Sequence, residues 1–297
     1  MKKEYRGYVY SITSAFLFGT AGMFVKLTQS TGLNSSDILT VQYTLAVIIL
    51  FSISYIKYKD KILVSKEKLI RLMILGVLGN VSMTICYYKA FEYLPVAMVT
   101  MLLYTYPIMV FIYTSIYRRK RIDISKIVAV FIAFIGCIFT LNIISGQFKY
   151  SYIGIVFGLL SAVFYSFMNI YTEEKLSSEE PLIINAYSTL FSLIVLYVYR
   201  FPIYVFKGEL SFKSIYLIGI LAIVCQIIPL TFLYSAIRYI GALKVSIINN
   251  LEIPTAMFLS FIILGEKVTV FQMIGAALIV YAIYLISCKK VKKNEVL

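Results

Sequence analysis

The chain has 297 residues, of which 61% are hydrophobic and only 14% charged. An ordinary soluble domain is about half apolar and about a quarter charged, so a water-soluble core cannot hide this excess and lipid must be the solvent for much of it. The net charge of +14 would point to nucleic acid in a soluble protein, but the charges sit in short clusters between apolar runs, which fits a membrane topology and excludes a nucleic-acid partner.

The N-terminus, Met1 to Arg6, is short and basic, and the apolar run Tyr8–Val25 follows it. Nine similar runs come after, so the first reads as a retained span and not a cleaved leader. The others are Ile38–Ile56, Leu72–Tyr88, Tyr93–Tyr117, Ile127–Ile144, Tyr152–Thr172, Leu182–Tyr199, Ile215–Ile237, Val245–Gly265 and Val268–Cys288. All are 17 to 25 residues long, the length an α-helix needs to cross a bilayer core. The expected fold is therefore an all-α membrane protein with ten transmembrane helices. With the N-terminus inside, 21 Lys and Arg fall on the inner segments and seven on the outer ones, which places both termini in the cytoplasm of a cell-membrane protein.

Folding the chain near residue 147 superposes its halves, residues 1–147 and 148–297. Gly7, Ser14 and Ala15 meet Gly154, Ser161 and Ala162, and Pro107 meets Pro254, all at an offset of 147. Asn80, Tyr88, Ala90 and Tyr93 meet Gln226, Tyr234, Ala236 and Tyr239 at 146. Five spans per half is an odd number, so the second half enters the membrane with opposite polarity. That makes two inverted five-helix repeats, an architecture of secondary transporters. The stretch Arg118-Arg119-Lys120-Arg121 on the inner side corresponds to Gly265-Glu266-Lys267 on the outer side, recharged according to its side of the membrane.

The span-nine sequence Glu252-Ile-Pro254 followed by Gly265-Glu266, and the span-three ending Tyr88-Lys-Ala-Phe-Glu-Tyr-Leu-Pro95 with its echo Tyr234-Ser-Ala-Ile-Arg-Tyr-Ile-Gly241, resemble the drug/metabolite transporter superfamily, specifically its EamA-like branch. The resemblance covers essentially the whole chain. Arg118-Arg119-Lys120 departs from it, standing where many members keep a G-E pair, and the inverted topology accounts for the change. The resemblance implies a substrate path between the repeats, lined mainly by spans one, three, four, six, eight and nine. It also implies transport of amino acids or other small metabolites.

Glu252 is the leading site residue, because a carboxylate at mid-bilayer costs at least about 2.5–3.5 kcal/mol and usually faces a cavity. It would contact a substrate amine or carry a coupling proton; its plain alternative is a hydrogen-bonded carboxyl fixing span nine at the Pro254 break. Asn249 shares its face at i,i+3 spacing, while Asn250 is placed to bond a neighbouring helix. Asn80 and Gln226, at equivalent depth in the two halves, would flank one central site, with Asn169 and Tyr165 on the same wall and Tyr104 contacting substrate. Helix-to-helix bonding is the plain alternative for each amide. Tyr88 and Tyr234 read as interfacial packing, with gating or stacking on substrate as the alternative, Gly19 with Gly22 and Gly76 with Gly79 as close helix contacts, and Lys89 with Glu92 as a solvated pair. Glu173, Glu174, Glu179 and Glu180 read as a polar cytoplasmic turn.

Catalytic and metal-binding residues are not expected, and neither is a cofactor. Histidine is absent, the four cysteines (Cys86, Cys137, Cys225 and Cys288) have no C-x-x-C spacing, and no Walker-type loop or acidic metal cluster is present. The function expected is secondary transport of a small-molecule substrate, an amino acid or related amine, by alternating access. Proton coupling, direction and the choice between monomer and homodimer stay open. The rivals are a drug exporter, a nucleotide-sugar-type carrier and, from another class, a membrane-embedded enzyme acting on lipid.

Overall fold

A computed structural model describes residues 2–33, 35–94, 96–117, 124–141, 151–199, 201, 211–264 and 268–288. Pro95, the basic cluster at 118–121, Lys149, Arg200, Lys207, the 265–267 segment, the lysines after Cys288 and the junction of the two halves lie outside them.

The described residues are helical from end to end. The helices are α1 (Lys2–Gln29), α2 (Ser35–Tyr58), α3 (Lys66–Phe91), α4 (Val96–Leu103 and Tyr106–Ile116), α5 (Ile124–Thr140), α6 (Tyr152–Leu176), α7 (Pro181–Tyr199), α8 (Phe212–Ile240), α9 (Ala242–Asn249 and Glu252–Leu264) and α10 (Val270–Cys288). Among the described residues nine are long and apolar enough to cross a membrane, and α5 is a shorter apolar helix of 17 residues. Each expected span overlaps one of them, with residues 142–144 of the fifth and Gly265 of the ninth outside the described residues. Ile56, Val198 and Phe212 turn outward, apolar side chains that only lipid can solvate.

The main helix contacts are α1 on α8 and α9, α6 on α3 and α4, α2 on α7 and α5 on α10, with α4 also touching α9. Exchanging each helix with the one five places later maps this pairing onto itself. The contacts that set it also correspond. A Cβ on Gly7 would come within 2.6 Å of Ile240 on α8, and one on Gly154 within 2.6 Å of Leu94 after α3, so only glycine lets these helices approach so closely.

Two local features recur in both halves. In α3 the residues Leu75–Val81 widen into a π-helical turn, and in α8 Ile223–Ile227 do the same. Both π segments end at corresponding positions, with Asn80 and Gln226 next to last. Such turns insert a residue into the hydrogen-bond ladder and re-aim the side chains that follow. The second feature is a break ahead of each proline. Pro254 cannot donate to Asn250, whose carbonyl instead takes Ile253 N–H at 3.2 Å, while Leu251 N–H reaches Ile248 O at 2.9 Å. In α4, Thr105 N–H reaches Leu102 O at 3.2 Å ahead of Pro107.

Candidate functional site

The two broken helices and the two π segments meet at the centre of the bundle, beside a cavity of about 220 Å³. Its walls are α1 (Phe18, Ala21, Val25), α2 (Leu39, Gln42, Tyr43), α3 (Asn80, Met83, Thr84, Tyr87, Tyr88) and α8 (Leu221, Cys225, Gln226, Leu230). Tyr104 of α4, Tyr165 of α6 and Glu252 of α9 face it at the bundle centre. The wall is mostly apolar and aromatic with a few convergent polar groups, the usual composition of a small-molecule site. The lining runs toward the end of the bundle where α1 finishes and α2 begins.

Five of the seven expected residues come together here: Glu252, Asn80, Gln226, Tyr104 and Tyr165. Glu252 begins the second piece of α9, so the break presents its carboxyl to the cavity, which Tyr104 also lines. Gln226 is only 5% exposed, and neither its amide nitrogen nor its oxygen has a hydrogen-bond partner. A buried amide left unpaired is costly. Asn80, by contrast, is fully engaged: its Nδ2 donates to Ser188 Oγ at 3.2 Å and its Oδ1 accepts from Tyr234 OH at 3.2 Å.

Asn249 and Asn169 do not reach the cavity. Asn249 is buried with both amide atoms unpartnered, and lies near Tyr106 and Tyr165. The i,i+3 relation to Glu252 holds only for an unbroken helix, and the turn at Asn250 and Leu251 separates the two faces. Asn169 is turned to its own helix, where its Nδ2 donates to Tyr165 O at 2.8 Å. Asn250 ties α9 to α5 as expected, accepting from Cys137 Sγ at 3.3 Å.

Three placements differ from the sequence reading. Tyr234 is 1% exposed and bonded to Asn80, and Tyr88 lines the cavity, so neither is interfacial. The reason is length: α3 and α8 run for 26 and 29 residues, past their apolar runs, which draws both tyrosines inward from the helix ends. Second, α2 contributes Leu39, Gln42 and Tyr43 to the wall, a helix the resemblance did not include. Third, the acidic turn between α6 and α7 is a cross-brace. Glu173 accepts from the Ala242 N–H that starts α9 at 3.0 Å, Glu179 pairs with Lys68 at 2.9 Å, and Glu180 accepts from Tyr58 OH at 3.2 Å and pairs with Arg238 at 3.7 Å. At the same end Tyr10 packs on Phe232 and Tyr239, and Ser14 Oγ donates to Pro229 O at 2.7 Å. One end of the bundle is thus tied shut while the cavity extends toward the other.

Among the glycine pairs, Gly19 and Gly76 make close helix contacts, Gly79 touches Met168, and Gly22 has nothing near it. Lys89 and Glu92 form the expected exposed pair at 2.6 Å. Among the described residues there is no cluster of His, Cys, Asp and Glu able to hold a metal ion.

Comparison with other proteins gives a consistent result. The sequence model of the EamA-like transporter family matches twice, at residues 5–142 and 152–288. An uncharacterized transporter of Archaeoglobus fulgidus is 23% identical over 274 residues, covering 92% of this chain and 93% of its own. The uncharacterized transporter YcbK of Bacillus subtilis is 22% identical over 298 residues, covering 97% of this chain and 95% of its own. A protein solved by crystallography shares the fold with a TM-score of 0.77 at 14% identity, over 95% of this chain and 96% of that one.

Proposed function

The chain belongs to the EamA-like transporter family, and from that premise we propose that it is a secondary transporter that moves an amino acid or a related amine through the central cavity by alternating access. The observation that carries this reading is Glu252, a carboxyl delivered by a helix break to a mostly apolar cavity, where a substrate ammonium is its natural counter-charge. Tyr104, Asn80, Gln226 and Tyr165 supply polar and aromatic surface for the rest of the molecule.

The two halves then act as inverted repeats that rock about the cavity, which is what the self-mapping helix pairs support. The excess of Lys and Arg on the inner segments of the sequence supports a cytoplasmic braced end, with the cavity reached from outside and both termini inside the cell. Purified protein in liposomes should accumulate or release a radiolabelled amine or amino acid without ATP. Flux that appears only when an ATPase is added, or none across a panel of amino acids, polyamines and sugars, would overturn the proposal.

A further inference from the structure

The closed contact at Asn80 has a counterpart that is open. Asn80, Ser188 and Tyr234 correspond in the repeat to Gln226, Gln42 and Tyr88, every pair 146 positions apart. In the first set Asn80 bonds both partners, and Ser188 Oγ lies 3.5 Å from Tyr234 OH. All three are buried, at 4%, 0% and 1% exposure, and of them only Asn80 also borders the cavity. In the second set Gln226 has no partner, Tyr88 is partly exposed, and Gln42 makes only a 3.5 Å contact with Leu221 O. All three line the cavity. Both amides sit next to last in a π segment, so the backbone device that aims them is the same.

We propose that Gln42, Tyr88 and Gln226 are the second of two symmetric latches: closing the cavity brings the Tyr88 hydroxyl and Gln42 onto the Gln226 amide, as Asn80, Ser188 and Tyr234 part. The inference rests on the alternating-access reading. It explains why a buried amide is left with both atoms unpaired, since in the exchanged state they are paired. It also gives the two states one common set of hydrogen bonds, so that neither is strongly preferred and a bound substrate can shift the balance.

The test uses the full-length protein with Cys86, Cys137, Cys225 and Cys288 replaced by alanine and Thr172→Cys as sole thiol. Thr172 is 1% exposed on the sealed side, and its hydroxyl bonds only its own helix, donating to Met168 O at 2.7 Å. Labelling by a water-soluble maleimide then reports the minor, exchanged state. Tyr234→Phe removes the bond to Asn80 and the 3.5 Å contact with Ser188 from the closed latch and should speed labelling about fivefold, whereas Tyr88→Phe removes the matching hydroxyl from the exchanged state and should slow it by a similar factor. A change that merely loosened the fold would speed both. Faster or unchanged labelling in Tyr88→Phe overturns the latch. Should either variant fold poorly, the pair Tyr88→Cys with Gln226→Cys, treated with a short bifunctional thiol reagent, should crosslink with a yield that rises when Asn80→Ala opens the first latch; a yield that does not rise also overturns it. Opposite labelling shifts in a protein that moves no amine would retain the latch and sink the substrate reading; amine flux without those shifts would do the reverse.

Discussion

The chamber walled by α1, α2, α3 and α8 and the one walled by α6, α7, α8 and α3 are built from corresponding residues, yet the first holds a cavity of about 220 Å³ and the second is lined by fully buried side chains. In the open chamber Ala21, Val25, Leu39, Tyr43, Tyr87 and Tyr88 are all partly exposed. Their counterparts Met168, Thr172, Asn185, Thr189, Leu233 and Tyr234 are all at 1% or less. The helix facing each chamber explains much of the difference. Where α2 carries Leu39, Gln42 and Tyr43, α7 carries Asn185, Ser188 and Thr189, smaller side chains that bond one another and the neighbouring backbone. Asn185 Nδ2 donates to Ile227 O at 3.0 Å and Thr231 Oγ1 at 2.9 Å, and its Oδ1 accepts from Thr189 at 3.0 Å. A fully satisfied polar network can be buried at little cost, whereas large side chains hold helices apart. The two chambers share an architecture, and their side chains decide how tightly each one packs.

The largest effect should come from prying the buried chamber open. A Cβ on Gly76 would stand 2.5 Å from the Ser188 carbonyl oxygen and 2.8 Å from Phe191 Cβ, so α3 and α7 must separate to admit a side chain. Gly76→Leu should cost about 3 kcal/mol in thermal unfolding, the upper range for overpacking. Gly22→Ala, where nothing lies within 4 Å, should change stability by less than about 0.5 kcal/mol. Next comes the network itself. Asn185→Ala leaves buried acceptors unsatisfied and should cost about 2 kcal/mol. Its counterpart Leu39→Ala, in the open chamber, should cost about 1 kcal/mol, since a half-exposed side chain forfeits less burial. Equal costs at the two positions would mean that the chambers do not differ in packing as described.

Much of this arrangement was legible in the sequence because its causes are local. Span lengths follow from apolar runs, and the repeat offset placed Asn80 opposite Gln226 and Pro107 opposite Pro254 before any contact was known. Glu252 stood out because a carboxylate in an apolar run needs a reason. What could not be read depends on helix phase. The length of α3 and α8 carries Tyr88 and Tyr234 inward from the helix ends, and the π turns before them re-aim the side chains that follow. The break in α9 uncoupled Asn249 from Glu252, and no propensity rule dictates how far a proline break turns a helix. The role of α2 was hidden for another reason: its cavity residues, Leu39, Gln42 and Tyr43, are ordinary in composition and matter only through the helices they face.

A smaller effect, on function rather than stability, is expected in the cavity. Glu252→Gln keeps the size of the side chain but removes the charge offered to a substrate amine. Amine flux should fall about tenfold, roughly 1.4 kcal/mol of lost interaction, while the yield of folded protein stays high. Any pH dependence that arises from this carboxyl should also flatten, because an amide does not titrate. Wild-type flux with a wild-type pH profile would leave Glu252 a structural residue of the break.

The smallest effect is expected where the charges are most conspicuous. The braced end carries ion pairs between Glu180 and Arg238 at 3.7 Å and between Glu179 and Lys68 at 2.9 Å, and it is tempting to let them hold that end shut. Their exposure argues otherwise: the Glu180 and Arg238 side chains are 36% and 35% accessible, and pairs of that kind contribute about 0–1 kcal/mol and are screened by salt. The contacts beneath them are of another kind. Ser14 donates to a buried carbonyl at 2.7 Å, Tyr10 lies against two aromatic rings of α8, and Asn80 and Tyr234 close the chamber floor. None of these is weakened by an ionic atmosphere. Arg238→Gln should therefore shift stability by no more than about 0.5 kcal/mol, and labelling of a Thr172→Cys reporter should be the same in low and in molar salt. If salt alone exposes Thr172, the end is held by charge and not by packing, and the contrast between the two chambers would then be electrostatic in origin.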